Sequence, residues 1–175
     1  LAWVIPSPQK HEFKGEYRTP SALNFNLDSF EMDVNFISER LQEGLTITVN
    51  SENNLDNNLS VIQNNSLGRE AYRLQISEDK IRIEASHSTG VFYAFESLHQ
   101  ILLIAQNEEK GWPIITIEDA PRFENRGFMS DVARNFYPKE KLFQILDYMA
   151  LYKLNRFDLK LTDDDGWRIE IPGLP

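Results

Sequence analysis

The sequence predicts an α+β domain over residues 1–118, followed over 119–175 by the opening β-α-β unit of a larger α/β domain. Three observations carry this. Two alternating segments, AYRLQIS and KIRIEAS, flank Glu78-Asp79 as the arms of a hairpin would. A long stretch follows with Phe92, Phe95, Leu98, Leu102 and Ala105 at helical spacing. After Asp119 the pattern becomes one strand, one helix and one strand, which requires a crossover between parallel strands.

Along the chain, WVIPSP favours an extended start, because Ile5 precedes a proline. Phe30, Val34, Ile37 and Leu41 recur at helical spacing, and Gly44 follows as a stop. LTITVN, Leu45 to Asn50, alternates as a strand, whereas Ser51–Ser66, rich in Asn and Ser, reads as a loop. Ser88 or Thr89 is expected to cap the long helix, with Ser97 on its surface and His99 a packing or surface residue. WPIITIED closes the first domain as a strand. Beyond the boundary at DAPRFENRG, GFMSDVA is the first strand and NRFDLKLTDDD the second. Between them PKEKLFQILDYMALYKL is a helix, with Pro138 in its first turn and Leu142, Ile145, Met149 and Tyr152 on one face.

Composition narrows the function classes. With 41% hydrophobic and 26% charged residues over 175 positions, the chain has ordinary globular usage and enough length for a real core. A net charge of -9 without a Lys/Arg cluster argues against nucleic acid and anionic membrane surfaces as partners. No apolar run approaches the ~20 residues of a membrane span. With no cysteine there are no disulfides and no thiolate metal sites, and His11, His87 and His99 lack ligand spacing, so no metal and no cofactor are expected.

Ligands of parallel α/β folds bind at the C-terminal ends of the strands. Asp131 stands near the end of the first strand, and Asp163, Asp164 and Asp165 at the end of the second. Arg126 and Arg134 lie at either end of the first strand region. Such carboxylates can hold sugar hydroxyls, orient a catalytic acid or bind a metal, and one of them can equally cap the following turn.

The stretch from about Ile117 to Pro175 resembles the start of the catalytic barrel of glycoside hydrolase family 20, the β-N-acetylhexosaminidases. The resemblance rests on D-x-PRF-xx-RG, DVAR-x-FYP, MA-x-YKLN and LTDD-x-GWRIEI in combination. GREAYRLQIS and TGVFYAFESLHQIL are similar to the small α+β domain that precedes this barrel in the family. The resemblance implies that residues 119–175 begin a (β/α)8 barrel. It also implies retaining hydrolysis of terminal β-linked N-acetylglucosamine or N-acetylgalactosamine on glycans, assisted by the substrate's own acetamide. The Asp-Glu pair of that mechanism is expected after residue 175, so these 175 residues alone are expected to be inactive. Carried over by motif, Arg126 is expected to bind sugar hydroxyls, with Asp163, Asp164 and Asp131 as active-site support and Trp167 packing under the loop. Acidic composition without cysteine suits an exported bacterial glycosidase.

Three positions depart from the commonest pattern of that family: Asn135 after DVAR, and Asp158 and Lys160 on the second strand. Residues two apart share a strand face. Phe157, Leu159 and Leu161 are therefore expected to face the helices, while Asp158 and Lys160 face the barrel and pair with each other or with neighbouring strands. The alternative is a carbohydrate-binding or scaffold relative without catalysis.

Overall fold

The computed structural model describes residues 4–17, 20–27, 29–51 and 57–173. The chain divides into two compact units, Leu1–Arg122 and Phe123–Pro175.

The first unit is built on a five-stranded sheet. Its strands are β1 (Lys10–Tyr17), β4 (Leu59–Gln63), β5 (Tyr72–Ile76), β6 (Ile81–Ala85) and β7 (Trp112–Asp119), in the order β1-β7-β5-β6-β4. All neighbours are antiparallel except β4 and β6. A separate parallel pair joins β2 (Ala22–Asn24) to β3 (Thr48–Asn50). Helix α1 (Val34–Gln42) lies between these short strands in sequence, and α2 (Ser88–Asn107) connects β6 to β7.

Period-two alternation sets the sheet's two faces. Tyr72, Leu74 and Ile76 of β5, Ile81 and Ile83 of β6, and Ile115 and Ile117 of β7 are buried in one core with Val91, Ala94, Leu98, Ile101 and Leu102 of α2. The opposite face carries a ladder of opposite charges across the strands. Lys10 and Arg73 flank Glu118 at 3.7 and 2.8 Å, and Arg73 and Arg82 flank Glu84 at 3.7 and 2.8 Å. Opposed charges on adjacent strands add register specificity to the backbone ladder.

Asp33 begins α1, its Oδ1 accepting from the amides of Asn35 and Phe36 at 3.0 and 3.2 Å. Gly44 follows the helix with φ +73, a conformation that carries little cost only without a Cβ. Arg40 of α1 clamps Glu96 of α2 through Nε at 2.9 Å, and Glu96 is 1% exposed.

Four expectations are corrected in this unit. Ser51–Ser66 is not all loop: residues 59–63 form β4, because Leu59 is fully buried and the segment pairs with β6. Residues 52–56 lie outside the described residues. The strand expected over Leu45–Asn50 is three residues long, Thr48–Asn50. The cap of α2 is His87, whose Nδ1 accepts from the Thr89 amide. Ser97 is buried rather than on the helix surface, its Oγ donating to the Tyr93 carbonyl and lying 2.6 Å from the Tyr72 hydroxyl.

The second unit contains β8 (Gly127–Asp131), α3 (Lys139–Leu151) and β9 (Arg156–Lys160). β8 and β9 are parallel, with Gly127 opposite Arg156 and Asp131 opposite Lys160. The chain then folds into a small hairpin, β10 (Thr162–Asp163) and β11 (Gly166–Trp167). Pro138 stands one position before α3, where a missing amide costs nothing. Of the expected helix face only Met149 is buried; Tyr152 is the C-cap and is exposed. Among the described residues β8 and β9 form a two-stranded sheet, and no barrel is closed.

Candidate functional site

In a parallel pair the turns after both strands emerge at the same end, and here that end gathers charge. β8 finishes on Asp131, whose Oδ1 accepts from the Arg134 amide at 3.1 Å and so folds the turn that carries Arg134. β9 finishes on Lys160, opposite Asp131, with its Nζ 3.2 Å from Asp131 Oδ2 and hydrogen-bonded to Asp163 Oδ2. The hairpin then turns at Asp164 and Asp165, and the Asp164 amide donates to Asp163 Oδ1 at 2.7 Å.

Arg134 closes the cluster. Its Nε donates to Asp163 Oδ2 at 2.9 Å and lies 3.5 Å from Asp131 and 3.7 Å from Asp165. Among the described residues its two terminal nitrogens make no hydrogen bond, and the side chain is 60% exposed. One edge of the guanidinium is thus fixed while the other is presented outward, the geometry suited to a pair of vicinal hydroxyls.

Two cations among three carboxylates set the charge states. The Asp164 carboxyl, Lys160, the Asp164 amide and Arg134 hold Asp163 far below the usual carboxylate range, against the opposing effect of burial. Burial raises Asp131, but the Arg134 amide, Lys160 and the Arg134 guanidinium outweigh it and leave its carboxyl lowered. Asp163, then Asp131, raise Lys160, and Asp163 above all raises Arg134. Among the described residues no group of His, Asp and Glu converges as a metal site would require. The acidic oxygens here are taken up by cations of the chain itself.

The hairpin is seated by close packing. A Cβ on Gly166 would lie 2.4 Å from the Ala133 carbonyl oxygen, so only glycine permits this approach. Arg168 donates to the Val132 and Ala133 carbonyls at 2.9 and 3.0 Å, and its guanidinium covers the Phe136 ring at 5.4 Å. Trp167 is not packed under the loop as expected but exposed, with Nε1 donating to the Ile169 carbonyl.

The structure brings Asp131 and Asp163 together around Lys160, with the Asp164 side chain exposed at the turn beside Asp163. It does not bring Arg126 to them. Arg126 precedes β8, at the opposite strand end, roughly 16 Å from Asp131 at ~3.3 Å per residue. Its Nε and Nη1 donate to the carbonyls of Lys153 and Phe123 at 2.8 and 2.7 Å, while its amide donates to Asn155 Oδ1 at 3.0 Å. These bonds tie the turn after α3 to the start of β8. Asp158 pairs with Arg156 rather than with Lys160, at 3.4 Å. Arg134, placed by the sequence at one end of the first strand region, gains its role only from this geometry, and Lys160 pairs across to the neighbouring strand as expected, through Asp131. The C-terminal-end rule was the signal that distinguishes Arg134 from Arg126.

Residues 2–120 match the profile of glycosyl hydrolase family 20, domain 2, and residues 123–175 that of the glycosyl hydrolase family 20 catalytic domain. The N,N'-diacetylchitobiase of Vibrio harveyi is 50% identical over 105 residues, covering 60% of this chain and 12% of its own. A β-hexosaminidase of Vibrio vulnificus is 32% identical over 176 residues, covering 99% of this chain and 20% of its own. The crystal structure of a GH20 exo-β-N-acetylglucosaminidase from Vibrio harveyi in complex with N-acetylglucosamine matches with a TM-score of 0.81 at 30% identity. That match covers 99% of this chain and 28% of the other. Where nearly the whole chain is matched, it spans 20% to 28% of the length of these relatives.

Proposed function

Because the chain belongs to glycosyl hydrolase family 20, we propose that the protein carrying it hydrolyses terminal β-linked N-acetylhexosamine. The observation that carries this is the cluster of Arg134, Asp131, Lys160 and Asp163 at the C-terminal ends of two parallel strands, with the free edge of Arg134 turned outward. Relatives named for chitobiose and hexosamine chemistry, one of them in complex with N-acetylglucosamine, support a sugar of that type.

Within this proposal the reaction is retaining and substrate-assisted. The acetamide oxygen at C2 attacks the anomeric carbon as the glycosidic C–O bond breaks, and a glutamate donates its proton to the departing oxygen. An aspartate beside that glutamate orients the acetamide and offsets its developing positive charge. Both are assigned to residues beyond 175, so the 175 residues alone are proposed to be inactive. The part played here is to grip the non-reducing sugar: Arg134 donates to vicinal ring hydroxyls, and Asp163 keeps that arginine in place.

The test is hydrolysis of a chromogenic β-N-acetylglucosaminide by the full-length protein, beside the same glucoside without the acetamide. Cleavage of the first alone supports the proposal, since only it carries the internal nucleophile. Cleavage of both removes the acetamide from the mechanism. Binding of N-acetylglucosamine without cleavage moves the protein to a carbohydrate-binding role.

A further inference from the structure

The charge arithmetic of the cluster leaves one residue without an assigned task. Asp131, Asp163 and Asp165 all lie within 3.7 Å of Arg134 Nε, yet a guanidinium fork matches a carboxylate best when it engages edge-on with two nitrogens. Arg134 touches them only through Nε. A second cation shares two of these carboxylates. Lys160 Nζ sits between Asp131 Oδ2, at 3.2 Å, and Asp163 Oδ2, on the β9 side of the cluster. Its position at the end of β9, in register with Asp131, fixes where the ammonium falls.

We infer that Lys160 is a positioning residue, which by neutralising Asp131 and Asp163 from the β9 side keeps Arg134 tethered by Nε alone and its two terminal nitrogens free for substrate hydroxyls. This rests on the sugar-binding reading of Arg134, though its geometric half does not. The charged groups facing Lys160 among the described residues are Asp131 from β8 and Asp163 from β10, with Arg134 and Asp165 behind them; the Arg156–Asp158 pair lies further back along β9. An ammonium stays charged across the whole neutral range, so the grip on Asp163 does not vary with pH there.

Three variants of the full-length protein test this. In Lys160→Met, Arg134 becomes the only cation for three carboxylates. We expect KM for a chromogenic β-N-acetylglucosaminide to rise about ten- to hundredfold, in line with the loss of a hydrogen bond to a charged group. The acid limb of the pH profile should move to higher pH as Asp131 and Asp163 lose their partner. Lys160→Arg should restore most of the affinity. Lys160→His should behave as wild type at acid pH and as Lys160→Met at alkaline pH, the change falling above the ordinary imidazole value of about 6.5 because the two carboxylates favour the imidazolium. A crystal structure of Lys160→Met supplies the readout that needs no activity: Arg134 should turn its terminal nitrogens onto Asp131 and Asp163. Wild-type KM and pH profile in Lys160→Met, with Arg134 unmoved, overturn the inference. A collapsed Arg134 in a protein that hydrolyses no hexosaminide upholds the positioning role and overturns the sugar reading instead.

Discussion

Arg134 and Asp163, 29 residues apart in sequence, meet through one hydrogen bond of 2.9 Å from Nε to Oδ2. That bond joins the turns after two neighbouring parallel strands, which is where a barrel presents its ligand-binding groups. Everything proposed for the second unit depends on how firmly those two turns are held together.

Gly166 tests the seating. A Cβ there would press on the Ala133 carbonyl, one residue before Arg134, at 2.4 Å. Gly166→Ala is expected to cost about 1–3 kcal/mol of stability through overpacking, measured by urea denaturation. In the full-length protein, on the proposed activity, KM should rise while the kcat of bound substrate changes less.

The buried pair Arg40–Glu96 holds α1 to α2. Removing the arginine strands the buried Glu96 carboxylate, so Arg40→Ala is expected to cost about 3–5 kcal/mol. Replacing both by methionine should cost far less. Equal losses in the single and the double variant would show that the side-chain volume, not the charge, matters at this contact.

Tyr72 anchors β5 under α2 through Ser97 at 2.6 Å and Asp119 at 3.1 Å. Tyr72→Phe is expected to cost on the order of 1 kcal/mol at neutral pH. Burial, and then the Asp119 carboxylate, push this phenol well above its ordinary value of 10.0. A group raised in the fold gives stability that is whole below the unfolded value and is lost as pH rises. The gap in melting temperature between the two proteins should therefore narrow, or reverse, above about pH 10.

Glu84 bears on the acid side. The Asn64 amide, then Arg82 and Arg73, hold its carboxyl below the ordinary 4.5 despite burial. A depressed carboxyl stabilises the fold above its unfolded value and ceases to do so as pH falls through the folded one. Glu84→Gln should melt lower than wild type at pH 7, with the difference shrinking below pH 4.5. A constant difference down to pH 2 would mean that the charge of Glu84 contributes nothing.

Much of the fold was legible because pattern and burial agree. The β5–β6 hairpin and α2 carry their periods openly, and the switch to strand–helix–strand after Asp119 marks a parallel pair. β4 was not legible, since Leu59 alone supplies its buried anchor among asparagines and its partner β6 follows 18 residues after β4 ends. Ser97 was hidden for a similar reason: a polar residue deep on a helix is readable only when its partner, Tyr72, is known to lie beneath it. At the candidate site the acidic residues stood out, but the two arginines looked alike. Only the strand direction separates Arg126, spent on two backbone carbonyls, from Arg134.

That separation is also the most direct test of the account. The measurement is KM and kcat for a chromogenic β-N-acetylglucosaminide in the full-length protein and in its Arg134→Ala and Arg126→Ala variants, with the melting temperature of each. Arg134→Ala should lose affinity by orders of magnitude with little change in melting temperature. Arg126→Ala should lose about 1.5–3 kcal/mol of stability, for its hydrogen bonds to backbone, and keep its KM while folded. The reverse pattern, with affinity lost in Arg126→Ala and retained in Arg134→Ala, would contradict the placement of the sugar site at the C-terminal ends of β8 and β9.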